Sequence, residues 1–195
     1  IVRKILVDRD EALTQDNQDI LPMLHNLEAI CHVLRQRRMN RGAIDFDFPE
    51  IKVKLDEAGK PVKLVKRERN LAESIIEECM LIANETVAEH MFKLKLPFMY
   101  RVHEQPGLSK LEKLKDLLKS FGLSLPSLKE GEEIQPAILQ KILKATAGKP
   151  EERIISTVML RSLKQARYEA QNLGHFGLAA KYYTHFTSPI RRYPD

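Results

Sequence analysis

Two adjacent arginines, Arg191 and Arg192, follow Ser188-Pro189 in the terminal segment KYYTHFTSPIRRYPD. The aromatic and β-branched run before them reads as a strand. The residue preceding a proline is held extended, and proline suits the first turn of a helix. A strand, Ser-Pro and an arginine pair together set two guanidiniums at a strand-to-helix junction. Backbone N–H groups and the positive helix end favour phosphate there, and arginine adds planar, two-point recognition of phosphate oxygens. On spacing alone, a solvated basic helix start is the competing reading.

Four other groupings carry chemistry. Glu77 and Asn84 are seven apart on an expected helix and project about 20° from one another. Both fall at the margin of its apolar stripe, while Glu78, Glu85 and Glu89 are expected to face solvent. A carboxylate so placed can accept hydrogen bonds from sugar hydroxyls, or simply pair with a neighbouring cation. Asp45 and Asp47 alternate on a strand and share a face, but two carboxylates without a third oxygen donor make a poor Mg²⁺ site. Phe46 and Phe48 read as core, or as platforms on which single-stranded bases stack. Arg161, Lys164 and Arg167, with His175 beyond them, form either a phosphate-tracking or a solvated basic face. There is no nucleophile–base dyad, since the odd spacing of His185 and Ser188 puts them on opposite strand faces. CxxC, HExxH and a glycine-rich phosphate loop are also absent.

The elements that must position these residues are mixed. Val2 to Asp8 reads as a helix tail. Asp16 or Asp19 is expected to cap a long helix ending near Arg41 and stopped by Gly42, with Leu24, Leu27, Cys31 and Leu34 as its stripe. Period-two alternation through Ile44, Phe46, Phe48, Ile51, Val53 and Leu55 predicts strands with one buried face. Glu57 to Lys60 reads as the hairpin turn, returning through Val62 to Val65. Asn70 caps a helix to about Lys93, striped by Leu71, Ile75, Ile76, Cys79, Met80, Ala83 and Val87. A strand over Phe98 to His103 and helices over Leu108 to Phe121 and Pro136 to Ala145 follow. A last helix is expected from Pro150 to about Tyr168, then strands over Gly174 to Ala180 and Tyr182 to Thr187. Residues 123–133 read as a mobile loop. The predicted class is α+β, helix-rich with short antiparallel strands, in one domain over residues 1–195.

Composition bounds the partners. The 195 residues are 43% hydrophobic and 30% charged, with a net charge of +5. Residues 35–69 carry eleven Lys or Arg against six Asp or Glu. Basic balance favours polyanions, because phosphate contacts release counterions. No run has the length of a membrane span, so no membrane partner is expected. Cys31 and Cys79 at apolar helix positions suit buried thiols in a reducing compartment. A chain that opens on Ile1 and stops one residue into a helix reads as a piece of a longer protein.

The string HFTSPIRRYPD resembles a signature of the ribonuclease II and ribonuclease R family of 3′-to-5′ exoribonucleases. RGAIDFDFPE, RERNLAESIIEECMLIANE, RVHEQP, LRSLKQARY and GHFGLA occur in the order expected for its catalytic domain, from about Arg37 to Asp195, and their detail is more similar to the ribonuclease R branch. The resemblance implies a partial RNB catalytic domain and a cytoplasmic parent enzyme. That enzyme would degrade single-stranded RNA processively, with Mg²⁺ held by an aspartate cluster, to nucleoside 5′-monophosphates. It implies that Arg191 is the catalytic arginine on the scissile phosphate, with Arg192 and Ser188 beside it on the RNA. By the same resemblance Glu77 reads a ribose 2′-OH, and Phe46, or Phe48 after a one-residue slip, stacks on bases. The family's metal-binding motif, D-x5-D-x-D-D, does not occur in this chain. The chain alone is therefore expected to bind no metal and to be inactive, and any oligomer it forms through exposed apolar surface is not expected to be biological. An RNA-holding scaffold without hydrolysis and a helical protein-interaction domain are the alternatives.

Overall fold

The computed structural model describes residues 1–46, 48, 50–67, 69–127, 129 and 132–187. The chain divides into two compact units, Ile1–Leu34 with Asp47–Cys79, and Arg35–Phe46 with Met80–Asp195. It is helix-rich with short antiparallel strands, as its patterning predicts.

The first unit opens with α1 (Val2–Leu6), α2 (Glu11–Asp16) and the start of α3 (Leu21–Asn40). The expected long helix is α3, while Asp16 is the last residue of the separate helix α2, which is capped by Asp10, whose side chain accepts from the Leu13 amide at 3.1 Å. The helical pattern breaks at Asn17, which leaves helical geometry and donates its side-chain amide back to the Leu13 carbonyl at 2.8 Å. Such local side-chain bonding competes with helix propagation.

β1 (Glu50–Leu55) and β2 (Pro61–Arg67) form an antiparallel ribbon with Val53 opposite Leu64. Asp56 closes its turn by accepting from the amides of Ala58 and Lys60, and Gly59 supplies the positive φ of 77°. The buried face expected here is absent: Ile51, Val53, Leu55, Val62 and Leu64 are all exposed. A two-stranded ribbon has no layer of its own against which to bury them.

α4 (Leu71–Lys93), capped by Asn70 on the Glu73 amide at 3.1 Å, runs from the first unit into the second. Its buried positions are Ile75, Glu78, Asn84 and Ala88. This corrects two expectations. Glu78 is only 2% exposed, whereas Ile76 of the expected stripe is 59% exposed. The helix turns two polar side chains inward, so apolar spacing alone misplaces its inner face.

In the second unit α5 (Leu108–Ser120), α6 (Pro136–Thr146) and α7 (Glu152–Ser162) pack around a common core. Leu111, Leu114 and Leu118 of α5 meet Leu139 and Ile142 of α6 and Ile155 and Met159 of α7. Leu125, within the segment expected to be a mobile loop, is buried in the same core. α3 ends here in a Schellman turn: the Ala43 amide donates to Arg38 and the Gly42 amide to Met39. Gly42 has φ +95°, and a Cβ on it would lie 2.6 Å from the Ala137 Cβ, so both conformation and space require glycine. Buried Gln140 donates to the carbonyls of Met39 and Ala43 at 2.8 and 2.9 Å, tying α6 to this turn.

α7 stops at Ser162, six residues before the expected end, because Leu163 turns extended at ψ 155°. The chain then enters β4 (Arg167–Glu169), antiparallel to β3 (Tyr100–Val102), with Arg101 opposite Tyr168. The two strands expected near the end are not strands either. Phe176–Leu178 is a single 3₁₀ turn, closed by paired backbone bonds between His175 and Ala180. Residues 182–187 form no strand and are held by scattered tertiary bonds rather than a ladder.

Candidate nucleic-acid interface

Arg191, Arg192 and Ser188 lie outside the described residues; the structure describes what leads to them. Asn84 of α4 is 3% exposed, and its Oδ1 accepts from the amides of Phe186 and Thr187 at 2.9 and 3.0 Å and from the Thr187 hydroxyl at 3.2 Å. Its Nδ2 donates to the Tyr183 hydroxyl at 3.3 Å. Two further bonds hold the same segment, from the Arg101 amide to the Tyr183 carbonyl at 2.9 Å and from the Thr184 hydroxyl to the Met99 carbonyl at 2.8 Å. One buried amide thus takes up the backbone donors immediately before Ser188. No strand pairing is needed where a side chain supplies the acceptor.

Beneath this segment lies a cluster of aromatic rings. His103 and His175 meet edge-to-face with centroids 5.0 Å apart, and His175 meets Tyr183 at 5.0 Å. The amide of Gly177 donates to His103 Nδ1 and that of Leu178 to His175 Nδ1, which fixes both rings as neutral tautomers with the proton on Nε2. Burial, reinforced by neighbouring His103, pushes the pKa of His175 down to about 3. Burial also lowers that of His103. At the other edge the Tyr168 hydroxyl lies 2.8 Å from His185 Nδ1, and the Arg101 guanidinium stacks 4.7 Å above the Tyr168 ring. His103 and His175 are structural wedges that stay uncharged near neutrality. The sequence reading singled out Asn84 and His175 but passed over His103, Arg101 and Tyr168. The signal for those was the RVHEQP and ARY strings, whose strand pairing only the fold reveals.

The remaining candidates fall as follows. Glu77, in the first unit, has a half-exposed side chain paired with Arg69. Phe46 is half-buried against the three-helix core, while Phe48 is 36% exposed. Asp45 is paired with Arg35 at 2.6 Å, and Asp47 lies outside the described residues. Glu85, expected in solvent, is engaged two-point by Arg41 at 2.7 Å. Among the described residues no group of three or more His, Cys, Asp or Glu side chains could hold a metal ion. A carboxylate already held by arginine is a poor start for a cation site, so the described residues do not fit a resident Mg²⁺. Among the described residues, no helix is long and apolar enough to cross a membrane. Both cysteines are free thiols, Cys31 buried and Cys79 half-buried.

Comparison with known proteins bears on all of this. Ribonuclease R 1 of Lactococcus lactis is 45% identical over 190 residues, covering 97% of this chain and 23% of that protein. Ribonuclease R of Thermotoga maritima is 44% identical over 187 residues, covering 95% and 26%. The chain therefore spans about a quarter of the length of these relatives. The structure of Mycoplasma genitalium RNase R in complex with ribose methylated single-stranded RNA superposes with a TM-score of 0.88 at 31% identity, covering all of this chain and 30% of that one. The fold alone is shared with yeast Ssd1, a pseudonuclease, at a TM-score of 0.63 and 23% identity over 88% of this chain and 22% of that one. The family model described as RNB domain matches residues 2–195. The chain belongs to the RNB domain family.

Proposed function

We propose that this chain is part of a metal-dependent exoribonuclease that hydrolyses single-stranded RNA processively from its 3′ end, in the cytoplasm, releasing nucleoside 5′-monophosphates. The observation that carries the reading is the anchored segment Tyr182 to Thr187, held by buried Asn84 and running directly into SPIRR. The family's relatives, named ribonuclease R, support it. In this reading Arg191 contacts the scissile phosphate and stabilises the charge developing on its oxygens, which is where preorganised cations contribute most to rate. Arg192 and Ser188 hold the neighbouring backbone. Glu77 accepts from a ribose 2′-OH, which distinguishes RNA from DNA, and must exchange its Arg69 pairing for that contact. Phe46 presents its half-exposed ring to a base.

Magnesium would activate the attacking water and neutralise phosphate charge. Its ligands are assigned to an aspartate cluster of the form D-x5-D-x-D-D, a string this chain does not contain. The 195 residues alone are accordingly proposed to be inactive, and any dimer they form is assigned no biological role.

The test uses the full-length protein, Mg²⁺ and a 5′-labelled single strand of RNA, following products and binding together. The expected result is stepwise release of monophosphates, with Arg191→Ala losing roughly 10²- to 10³-fold in kcat, as for loss of one transition-state donor, while Kd changes far less. Equal losses in rate and affinity would refute the role given to Arg191. Steady nucleotide release by the purified 195 residues would refute their inactivity. The second reading, RNA binding without hydrolysis, draws on the fold shared with a pseudonuclease. It predicts salt-sensitive binding and no products.

A further inference from the structure

α7 ends early and β4 pairs with β3, and these two departures from the sequence pattern gather cations from four elements around one cleft. A cavity of about 1030 Å³ in the second unit is lined by Arg101 of β3, Lys110 of α5, Arg161 of α7, Lys164 of the following loop and Arg167 of β4. None of the residues of the Tyr182 to Thr187 segment lines it.

The acids that face these cations are few. Glu104 meets Lys164 at 3.1 Å and Arg167 at 3.5 Å, and Glu169 takes the other side of Arg167. Five cations against two carboxylates leave three positive charges over. Arg101 rests on the Tyr168 ring, and Lys110 reaches only the Arg161 carbonyl, at 3.4 Å. Among the described residues, no carboxylate lies within ion-pairing distance of Arg101, Lys110 or Arg161. A solvated basic helix would scatter such charges outward; here they converge from separate elements on one concavity, where fields of one sign are focused.

We propose that this cleft is a sequence-independent binding track for the phosphodiester backbone of RNA, lined by none of the residues of the Tyr182 to Thr187 segment. The inference rests on the ribonuclease reading for the identity of the polyanion. One observation favours an extended strand over a compact anion: the cations are spread along the wall of the cleft, contributed by separate elements, with Lys110 and Arg161 exposed. The track would engage RNA that a short strand does not reach, raising affinity for long strands and leaving the chemical step on short ones untouched.

The experiment compares full-length wild type with Lys110→Ala/Arg161→Ala, and with a control of equal charge change on exposed positions of α6, Lys141→Ala/Lys144→Ala. Affinity for a 30-nucleotide and a 5-nucleotide RNA is measured across salt concentrations, alongside hydrolysis of the short strand. Each single-strand phosphate contact contributes about 0.7 to the slope of log K against log salt. The cleft variant is expected to lose about 1.4 of that slope on the long strand only, with unchanged turnover of the short one and an unchanged control. A slope equal to wild type, or an equal loss in the control, overturns the track while leaving the nuclease reading standing wherever wild type still hydrolyses RNA. A slope loss in a protein that releases no nucleotide keeps the track and removes the nuclease. A wild type that does not bind RNA removes both.

Discussion

Replacing Asn84 with Ala tests whether one buried amide holds the approach to the arginine pair. Its Oδ1 accepts from two backbone amides and one hydroxyl, at 2.9 to 3.2 Å. Alanine removes that acceptor. The Thr187 hydroxyl can turn elsewhere, but the amides of Phe186 and Thr187 cannot. Each buried donor left unsatisfied costs about 1–3 kcal/mol, and both here are only partly buried, so roughly 2–4 kcal/mol is expected for the pair. The loss is local. At 1.4 kcal/mol per decade, the opening equilibrium of residues 183–187 should rise by about 30- to 700-fold, read as faster amide hydrogen exchange at Phe186 and Thr187 in the full-length protein. Exchange at Leu114 and Met159 in the three-helix core should not move. Asn84→Asp keeps an acceptor for both amides and faces the Tyr183 hydroxyl, which can donate to it, so it should protect the segment better than alanine at the cost of a buried charge. The reasoning is refuted if alanine leaves exchange at Phe186 and Thr187 unchanged, or if aspartate is as disruptive as alanine.

Other outcomes follow from the same structure. Gly42→Ala forces a side chain into φ +95° and against Ala137; strain of about 1–2 kcal/mol is expected before the clash is counted, and a thermal midpoint equal to wild type would count against it. His175 is held neutral with a folded pKa of about 3, against roughly 6.5 unfolded. Its contribution is therefore complete above pH 6.5 and is lost as pH falls toward 3, about 2 kcal/mol of it by pH 5; His175→Gln should flatten the acid limb of a stability–pH curve. Arg41→Ala breaks an exposed two-point pair with Glu85 and should cost no more than about 1 kcal/mol by urea titration.

Hydrophobic spacing was enough for α5 and α6, whose inner residues repeat at helical intervals and pack with α7 in one core. Local turn chemistry was enough for the hairpin, where Asp56 and Gly59 close the bend without help, and for the Schellman turn at Gly42. The family, too, was legible, because a run such as HFTSPIRRYPD is carried by residue identity and needs no geometry. These features depend on neighbours close in sequence.

Distant partners decided the rest. The run through Arg161, Lys164 and Arg167 has helical spacing, yet β3 offers a free edge and Leu163 turns the chain out to meet it, so the basic residues converge on a cleft rather than line a helix. Tyr182 to Thr187 has strand composition, but Asn84, about a hundred residues away in sequence, takes its donors instead of a neighbouring strand. Glu78 and Asn84 face inward on α4 because a buried polar group follows its hydrogen-bond partners, and no period in the sequence records where those partners lie. Residue types alone determined what chemistry this chain can carry. Where its charges meet and what holds the approach to its arginines was decided by tertiary structure, because both depend on contacts that form only when remote segments pack.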